Sequence, residues 1–543
     1  MITKENSIIM VKKALFYLIL FSAFSVFAQK AMQYGLPSPS AVRQLPKQDK
    51  QRLLDEDAQN GKGRLRCALL LPLHVAFPGD IVPETVAGGT IWRMMVEAED
   101  AEAVNLYLED FQLPKGVELS FYTPDFAYQL PTITSDENPE SKVYVTDHLP
   151  GSDMVVELFA RKGVKVSNCF IIKDIGYMYR PLPKWMTRGN GFGGSGDCEV
   201  NVNCPEGDNW QNEKKGIARI LLVAGGGAYY CSGSLINNAR NDKTPYFLTA
   251  SHCGLGATEE EFPKWKFYFN YEAPSCANPE VEPTGTYITT GCEKIAEGAY
   301  SQSFQKSDFL LLKLDDKVAS NSDLVFNGWN VVATPATSGV GIHHPSGDIK
   351  KISTFTKAMQ EHADTHWNVQ WAQTQTNWSV TEQGSSGSPI FDQNKYIVGT
   401  LTAGDADCAI PLGSDLYGKM SFHWDKNGDT PAEQLKPWLD PDNTGITKLQ
   451  GLGDVQENPR PISGIYFDPD TRSFELFVRM EKGDNQEIKI FDIMGRLVMK
   501  RQISQVNDDN DILKIDVSQL AAGLYVIMII NSNGRKTQKI IKP

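Results

Sequence analysis

Short strand-like runs separated by turn residues make up most of this chain, and they limit the folds that it can adopt. In the middle of the chain such runs cover residues 216–223, 246–249, 266–271, 309–314 and 396–402. Short, evenly spaced runs with few helical patterns between them are typical of β-barrels and β-sandwiches. The sequence therefore predicts an all-β protein, and before residue 67 it predicts a helix only near residues 47–57.

Two further β-rich regions flank this middle part. On its N-terminal side, residues 90–96 alternate so that Trp92, Met94 and Val96 share one face, and more strands are predicted at residues 117–121, 143–145 and 154–158. On its C-terminal side, a hairpin is predicted with Gly495 at its turn, followed by a strand over residues 524–530. A chain of 543 residues has the length of roughly three domains.

Charge, cysteine content and the first residues indicate an exported protein. The net charge of −13 disfavours binding to nucleic acid, and nine cysteines without a Cys-x-x-Cys pair are unusual for a reducing cytosol. Lys12 and Lys13 precede an apolar run over residues 14–28 that ends in a plausible cleavage site before Gln29. A membrane anchor is the alternative, but the run is shorter than the ~20 residues that a span needs. Residues 1–28 are therefore a predicted signal peptide.

The N-terminal β-rich region ends in a Pro- and Gly-rich connection over residues 181–194. Such a connection is exposed, and it carries Lys184 and Arg188, where a protease specific for basic residues could cut. An uncut interdomain linker is the alternative. Cys67 and Cys169 bracket the region before this connection, and a disulfide between them could close it.

A loop of small residues in the middle region holds one candidate nucleophile, Ser386. It runs Gly384-Ser385-Ser386-Gly387-Ser388-Pro389. Glycines let the backbone turn sharply and leave amides free to point at one spot, as a serine attacking a carbonyl requires. A Gly/Ser run alone could equally be a turn or a linker, so its significance depends on other residues.

Two such residues stand earlier in the chain. His252 follows an apolar strand in Thr249-Ala250-Ser251-His252-Cys253, where a disulfide at Cys253 would hold the backbone beside the imidazole. Asp308 heads the apolar strand Phe309-Leu310-Leu311-Leu312, where a buried carboxylate needs a partner such as an imidazole N–H. Taken alone, His252 could be a structural histidine, and Asp308 could be an exposed residue at the start of a strand. Together with Ser386 they form a candidate Ser-His-Asp triad.

These segments resemble the chymotrypsin-like serine peptidases, and most of all the bacterial lysyl endopeptidase group. The likeness spans about residues 198–452, and its matched segments are residues 231–238, 249–253, 307–311, 342–345, 368–371, 384–389 and 414–418. The resemblance implies a chymotrypsin-like double β-barrel, with His252 as general base, Asp308 as its orienting acid and Ser386 as nucleophile. It also implies an oxyanion hole made of the backbone amides of Gly384 and Ser386, and it requires no metal or other cofactor.

The resemblance also implies a preference for lysine at P1. Trypsin-like enzymes carry the pocket acid six residues before the serine, where this chain has Val380, whereas the lysyl endopeptidase pattern places it at Asp415. A carboxylate at the base of a closed pocket suits a lysine ammonium better than the longer, planar arginine. Glu382 is the rival pocket acid.

Several other residues take their expected roles from the same resemblance or from their neighbours in the sequence. Ser385 stands where trypsin-type zymogens have an aspartate that pairs with the freed N-terminus, so activation is expected to proceed by removal of a prodomain. Cys292 is expected to be an unpaired, incidental thiol, and His343-His344 to be structural rather than metal-binding. The implied disulfides are Cys198–Cys408, Cys204–Cys276 and Cys231–Cys253.

The C-terminal region resembles the sorting domains of the type IX secretion system. The resemblance rests on residues 490–496, 520–525 and the basic tail 536–542. It implies a β-sandwich recognised by secretion machinery and a secreted or outer-membrane surface location in a Gram-negative bacterium. An ordinary β-sandwich that binds cell wall or carbohydrate is the alternative.

Four parts are therefore expected: signal peptide 1–28, β-rich prodomain 29–190, lysyl endopeptidase-like domain 191–455 and sorting domain 456–543. The expected function is that of a secreted serine endopeptidase cleaving protein or peptide substrates after lysine through an acyl-enzyme. An arginine-preferring or dual Lys/Arg peptidase is one alternative, and an inactive binding protein on a peptidase scaffold is another.

Overall fold

The structure is a computed structural model of the 543-residue chain. It describes residues 30–59, 64–180, 192–280, 282–283, 285–321, 323–453, 463–468, 473–479, 483–492, 496–506, 512–521, 523–531 and 534–542. The predicted signal peptide, and residues 181–191 of the Pro- and Gly-rich connection, which include Lys184 and Arg188, lie outside the described residues. Contacts divide the chain into two compact units, Met1–Asp454 and Val455–Pro543. The first contains an N-terminal region (residues 30–180) and a central region (residues 192–453).

Within residues 30–59 and 64–180, the N-terminal region has two short helices and ten strands. The helices are α1 (Lys30–Gln33) and α2 (Lys50–Gln59), the latter close to the predicted helix. The strands are β1 (Ala41–Gln44), β2 (Leu65–Phe77), β3 (Glu84–Val86), β4 (Gly89–Glu97), β5 (Ala103–Glu109), β6 (Val117–Tyr122), β7 (Tyr144–Val145), β8 (Leu149–Pro150), β9 (Asp153–Arg161) and β10 (Phe170–Met178). The predicted face of β4 is confirmed, since Met94 and Val96 are buried and Trp92 packs against the same apolar cluster.

The suggested disulfide between Cys67 and Cys169 is wrong. Both are free, buried thiols. Strands β2 and β10 run antiparallel, with Ala68 opposite Met178 at one end and Phe77 opposite Phe170 at the other. Cys67 and Cys169 adjoin these opposite ends, so they are separated by about nine residues of strand, or roughly 30 Å, against the ~7 Å limit between Cα atoms of a disulfide.

Sixteen strands and two short helices lie in the described part of the central region. Its first half holds β11 (Ile217–Ala224), β12 (Gly227–Leu235), β13 (Tyr246–Thr249), β14 (Lys266–Phe269), β15 (Tyr287–Thr290), β16 (Cys292–Gly298) and β17 (Phe309–Leu314). Its second half holds β18 (Trp329–Asn330), β19 (Gly339–His343), β20 (Lys351–Phe355), β21 (Gln360–His362), β22 (His366–Gln370), β23 (Pro389–Asp392), β24 (Ile397–Gly404), β25 (Ser414–Lys419), α3 (Met420–Asp425), α4 (Lys436–Leu439) and β26 (Lys448–Leu449).

Each half of the central region has its own sheet. In the first half β13 joins β12 and β17, and β11 joins β12 and β14; in the second half the order is β20-β19-β23-β24-β25-β22-β21. Apolar side chains such as Phe247 and Leu312 fill the first half, whereas Trp329 and Phe391 belong to a cluster that reaches into the second. The all-β prediction is confirmed, and the two-sheet arrangement agrees with the chymotrypsin-like fold that the resemblance implies.

The sheet of the first half continues into the N-terminal region. Strand β2 pairs antiparallel with the start of β12, with Leu65 opposite Tyr230 and Leu69 opposite Gly227. Tyr107 and Val145 of the N-terminal region lie in the same apolar cluster as Phe267 of β14. The two regions therefore share both backbone hydrogen bonds and a hydrophobic core.

The second unit is a small β-sandwich. Its strands are β27 (Ser463–Asp468), β28 (Ser473–Arg479), β29 (Gly483–Asp492), β30 (Leu497–Val506), β31 (Ile512–Asp516), β32 (Gly523–Asn531) and β33 (Gly534–Lys542). They form sheets in the orders β27-β28-β31 and β30-β29-β32-β33, and residues from both sheets, such as Leu476 and Ile490, share one core. The predicted hairpin is β29–β30, although its turn at Gly495 lies outside the described residues. Among the residues that the structure describes, no helix is long and apolar enough to cross a membrane.

Candidate active site

His252 lies directly after β13, in a single 3-10 turn over Ser251–Gly254. Its side chain is 11% exposed, so one edge of the imidazole faces the solvent. The next residue, Cys253, forms a disulfide with Cys231 of β12, with 6.3 Å between the Cα atoms. The disulfide ties the turn to the neighbouring strand and so restricts movement of the imidazole.

Asp308 holds His252 at two points. Its Oδ2 lies 2.7 Å from Nδ1 of His252, and its Oδ1 accepts a hydrogen bond from the backbone N–H of His252 at 2.9 Å. The two residues meet because β13 pairs with β17, with Thr249 opposite Leu310. Since the carboxylate accepts the Nδ1 proton, Nε2 of the neutral imidazole remains free as a proton acceptor.

Ser386 lies on a loop that packs against the end of β13. Its carbonyl accepts a hydrogen bond from the N–H of Ser232 at 2.8 Å and lies 3.7 Å from Sγ of Cys253. A Cβ on Gly387 would come within 2.1 Å of Oγ1 of Thr249, and its φ of +77° also favours glycine. The loop therefore reaches the strand that carries His252 only because glycine follows the serine.

Two amides of this loop are available to a ligand. Among the described residues, neither Gly384 nor Ser386 donates a backbone hydrogen bond, whereas Ser385 donates to Glu382 at 3.0 Å and Gly387 donates to Leu401 at 2.8 Å. Free N–H groups beside a serine are what stabilisation of an oxyanion requires.

A pocket of about 420 Å³ opens beside Ser386, and Thr381, Glu382, Gly404, Ala406 and Cys408 contribute to its wall. Asp415 lies directly behind this wall, because a Cβ on Gly404 would come within 1.7 Å of its Oδ1. The side chain has no exposed surface.

Only one oxygen of the Asp415 carboxyl is satisfied. Oδ2 accepts hydrogen bonds from Oγ1 of Thr381 at 2.7 Å and from Nε1 of Trp371 at 2.5 Å. Oδ1, which faces Gly404, has no hydrogen-bond partner among the described residues. Burial raises the pKa of Asp415 to about 7, against the hydrogen bonds from Thr381 and Trp371 and the nearby backbone N–H of Ala406, which lower it. The site is thus a buried acid with one vacant acceptor next to the pocket.

The rival acid, Glu382, also lines the pocket, but both of its oxygens are engaged. Oε1 accepts from the N–H of Gly196 at 2.9 Å, and Oε2 accepts from Oγ of Ser346 at 2.8 Å. Val380 is fully buried in an apolar cluster, so it presents no charge to the pocket.

Ser385 and the two adjacent histidines form a buried polar group. Oγ of Ser385 lies 2.8 Å from Nδ1 of His343, and Nε2 of His343 lies 2.8 Å from Oγ of Ser353. Burial lowers the pKa of His343 to about 3, so its imidazole is neutral in ordinary buffers. Nδ1 of His344 lies 2.9 Å from the carbonyl of Asp348. Sequence patterns did not reveal that His343 anchors the residue before Ser386.

The cysteines pair as the family resemblance implies. Disulfides join Cys198 to Cys408, Cys204 to Cys276 and Cys231 to Cys253. Cys292 is a free thiol whose pKa burial raises well above its ordinary value. A thiol that resists ionisation is a poor nucleophile.

Sequence reasoning missed three residues of this site: Trp371 and Thr381, which bind Asp415, and Ser346, which binds Glu382. Trp371 lies inside a segment that matches the family, so the sequence marked its position but did not predict its hydrogen bond to Asp415. Thr381 and Ser346 carried none, since small polar residues are common in loops.

Comparisons with known proteins match two regions of this chain to known families. Residues 192–418 match the family described as "Lysyl endopeptidase, C-terminal domain", and residues 465–543 match the "Secretion system C-terminal sorting domain". These matches confirm both resemblances found in the sequence.

One curated relative is the lysyl endopeptidase of Pseudomonas aeruginosa, 28% identical over 303 residues, or 52% of this chain and 62% of the relative. The chain thus spans less than two thirds of that relative's length. Similar solved structures include a thermostable serine protease from an extremophilic microorganism (14% identity, 38% of this chain and 92% of that chain, TM-score 0.27). Another is the protease Anisep from Arthrobacter nicotinovorans (19% identity, 38% and 89%, TM-score 0.26).

Proposed function

We propose that the central region is a serine endopeptidase that uses Ser386, His252 and Asp308. The observation that carries the proposal is the two-point attachment of His252 to Asp308, at 2.7 and 2.9 Å, beside the loop of Ser386. A general base needs a fixed tautomer and a free Nε2, and the attachment of His252 through Nδ1 provides both, whereas the structural His343 has both ring nitrogens occupied.

The proposed reaction proceeds in two halves. Nε2 of His252 takes the proton of the Ser386 hydroxyl as Oγ attacks the substrate carbonyl, and the amides of Gly384 and Ser386 stabilise the oxyanion. The imidazolium, held by Asp308, then gives its proton to the leaving amine, which departs and leaves an acyl-enzyme. Water, deprotonated by the same imidazole, attacks the ester and releases the carboxylic acid and the free serine.

We propose a lysine side chain as the occupant of the pocket, with its ammonium paired to Asp415. Support comes from the unsatisfied Oδ1 of Asp415 behind Gly404 and from a relative whose printed name is lysyl endopeptidase. Glu382 is a weaker candidate because Gly196 and Ser346 already occupy its oxygens. Losing one partner of a buried ion pair costs about 3–5 kcal/mol, so Asp415→Asn is expected to lower kcat/KM on lysyl substrates by roughly 10²- to 10⁴-fold.

The test combines a reagent with a substrate pair. An active-site serine reagent is expected to label Ser386 in the processed protein, and Ser386→Ala is the control that abolishes labelling. Fluorogenic substrates with Lys or Arg at P1 then measure specificity, and cleavage only after lysine is expected. Absence of labelling would refute the proposed peptidase activity. Equal cleavage of both substrates, or unchanged cleavage by the Asp415→Asn variant, would refute only the lysine preference.

We also propose the domain order predicted from the sequence, with residues 29–190 as a prodomain that covers the enzyme until it is removed. In support, β2 pairs with β12 two residues before Ser232, which binds the carbonyl of Ser386. Arg64, just before β2, donates to the carbonyl of Cys253 at 3.1 Å, beside His252. Sequencing the N-terminus of the active secreted form is expected to find a start near residue 191. An active form that retains β2 would refute this role.

The C-terminal region is proposed to direct export through secretion machinery to the cell surface or the medium. Its match to a secretion sorting family supports this role. Deleting residues 456–543 is expected to leave the protein inside the cell, as measured by immunoblotting of cell and medium fractions. Undiminished secretion of the truncated chain would refute it.

A further inference from the structure

The peptide between Gln383 and Gly384 is held in one orientation by Ser346. The N–H of Ser346 donates to the carbonyl of Gln383 at 2.6 Å. In a trans peptide the C=O and the following N–H lie in one plane and point in opposite directions. The N–H of Gly384 must therefore point away from Ser346, and it is one of the amides assigned to the oxyanion under the proposed function.

Ser346 can approach this peptide closely only because residue 384 is glycine. A Cβ at Gly384 would lie 2.9 Å from the amide nitrogen of Gly347, 3.0 Å from the carbonyl oxygen of His344 and 3.1 Å from the amide nitrogen of Ser346. Ser346 itself has a φ of +54°, in the left-handed region that residues with a Cβ usually avoid. A serine in that conformation needs contacts that hold it there.

Glu382 supplies one such contact and links Ser346 to the start of the central region. Its Oε2 accepts from Oγ of Ser346 at 2.8 Å, and its Oε1 accepts from the N–H of Gly196 at 2.9 Å. The backbone carbonyl of Glu382 also accepts from the N–H of Ser385 at 3.0 Å. One residue thus contacts Ser346, the start of the central region and the residue before the nucleophile.

Asp348, two residues after Ser346, also binds the start of the central region, the segment Gly193–Gly196. Its Oδ1 accepts from the N–H of Gly193 at 2.5 Å, and its Oδ2 accepts from Oγ of Ser195 at 2.5 Å. The side chain of Asp348 is only 2% exposed, and Phe192, just before this segment, is buried as well. The segment Gly193–Gly196 is therefore fixed by two carboxylates.

We propose that Ser346 and Glu382 are positioning residues that lock the Gln383–Gly384 peptide in the orientation an oxyanion donor requires. Asp348 and the segment Gly193–Gly196 brace this lock. The lock takes the place of the ion pair that Ser385 cannot form, and it is present in the uncut chain. This proposal rests on the proposed peptidase function and deepens it.

The lock and a pocket-acid role for Glu382 make different kinetic predictions. A lock acts on the transition state of every substrate, so its loss lowers kcat and leaves KM nearly unchanged. A pocket acid acts on the lysine side chain, so its loss would affect only lysyl substrates. p-Nitrophenyl acetate has no P1 side chain, and its hydrolysis therefore depends on the triad and the oxyanion donors but not on the pocket.

The experiment compares Glu382→Ala, Ser346→Ala and the double variant, all expressed as full chains and assayed after natural processing. Each single variant is expected to lower kcat by about 10- to 100-fold on a lysyl substrate and by the same factor on p-nitrophenyl acetate, with KM within about two-fold. The double variant is expected to be no slower than the slower single one, because both act through one hydrogen bond. Asp425→Ala, which removes an exposed carboxylate at the end of α3, is the control with unchanged kinetics.

Three results would overturn the lock. They are unchanged kcat in both single variants, a loss confined to lysyl substrates, or fully additive losses in the double variant. Thermal unfolding and disulfide mapping check that each variant is folded, and if Glu382→Ala fails to fold, the part-exposed Ser346→Ala alone decides the outcome. Failure of the lock leaves wild-type activity and Ser386 labelling intact, whereas failure of the proposed function abolishes both.

Discussion

The buried acid Asp415 allows a prediction about stability that is separate from catalysis. Its pKa is about 7 in the folded chain, because burial disfavours the charged form, against an ordinary value of 3.8. Between these values the folded state keeps a proton that the unfolded state releases. The stability contributed by the protonated acid is therefore complete below about pH 3.8, falls as pH rises, and is lost above about pH 7.

The magnitude follows from the size of the pKa difference. About three pKa units correspond to roughly 4 kcal/mol, of which about 3 kcal/mol is lost between pH 4.5 and pH 8. Asn at this position has no charge to bury at any pH. Asp415→Asn should therefore gain about 3 kcal/mol of stability relative to its parent between those two pH values.

The assay compares Ser386→Ala with the Ser386→Ala, Asp415→Asn double variant, since both remain free of self-digestion. Thermal unfolding of the two proteins is recorded at pH 4.5 and pH 8, and the difference in Tm is expected to shift by several degrees in favour of the double variant at pH 8. Comparing the pH dependence cancels any constant effect of the new amide group, whose N–H would face Gly404.

A ligand provides the matched control. N-acetyl-lysine amide at pH 8 is expected to stabilise the Ser386→Ala protein but not the double variant, because its ammonium neutralises the buried carboxylate. N-acetyl-norleucine amide lacks the ammonium charge, so it should stabilise neither protein by neutralising the carboxylate. A Tm difference independent of pH would refute the raised pKa of Asp415, and equal stabilisation of both proteins by the lysine ligand would refute the proposed pairing.

Two further predictions test how the Ser386 loop is built. Gly387→Ala is expected to slow labelling of Ser386 at least about ten-fold, because the new methyl group meets Oγ1 of Thr249. Gly256→Ala is the control, since Gly256 also has a positive φ but lies in open space. Equal slowing of labelling in the two variants would contradict the crowding argument. Replacing Cys231 and Cys253 by alanine removes a disulfide with a sequence separation of 22 and should lower the free energy of unfolding by roughly 3 kcal/mol in urea titrations. Cys292→Ser, which replaces a free thiol, should lower the free energy of unfolding far less. Similar losses in the two variants would refute the stabilising role of the Cys231–Cys253 disulfide.

Local patterns predicted the elements of this protein well and their long-range contacts poorly. Alternating residues located β4, and the apolar runs around residues 246–249 and 309–314 located β13 and β17, because side-chain period and strand propensity are properties of neighbouring residues. The suggested Cys67–Cys169 pair failed because the antiparallel register of β2 and β10, which sends the two thiols to opposite ends, is not visible in either segment.

In the candidate site, too, short segments of sequence were informative and long-range contacts were not predicted. His252, Asp308 and Ser386 stand in short segments with distinctive neighbours, so the sequence alone was enough to propose them as a triad and to give their order. The choice between Asp415 and Glu382 depended on family resemblance, and the structure adds the physical distinction: Asp415 keeps an unsatisfied oxygen behind Gly404, whereas Gly196 and Ser346 occupy both oxygens of Glu382.

The sequence by itself thus determined the all-β class and the two regions that resemble known families, and it supplied the proposed triad, since each depends on residues close together in the chain. Tertiary structure alone decided which carboxylate is satisfied, how β2 joins the central sheet, and how Ser346 orients the Gln383–Gly384 peptide. Those outcomes depend on burial and on contacts between segments up to 186 residues apart, such as Gly196 and Glu382. Hydrogen-bond satisfaction in a folded core is a property of the whole packing, and no single stretch of sequence contains it.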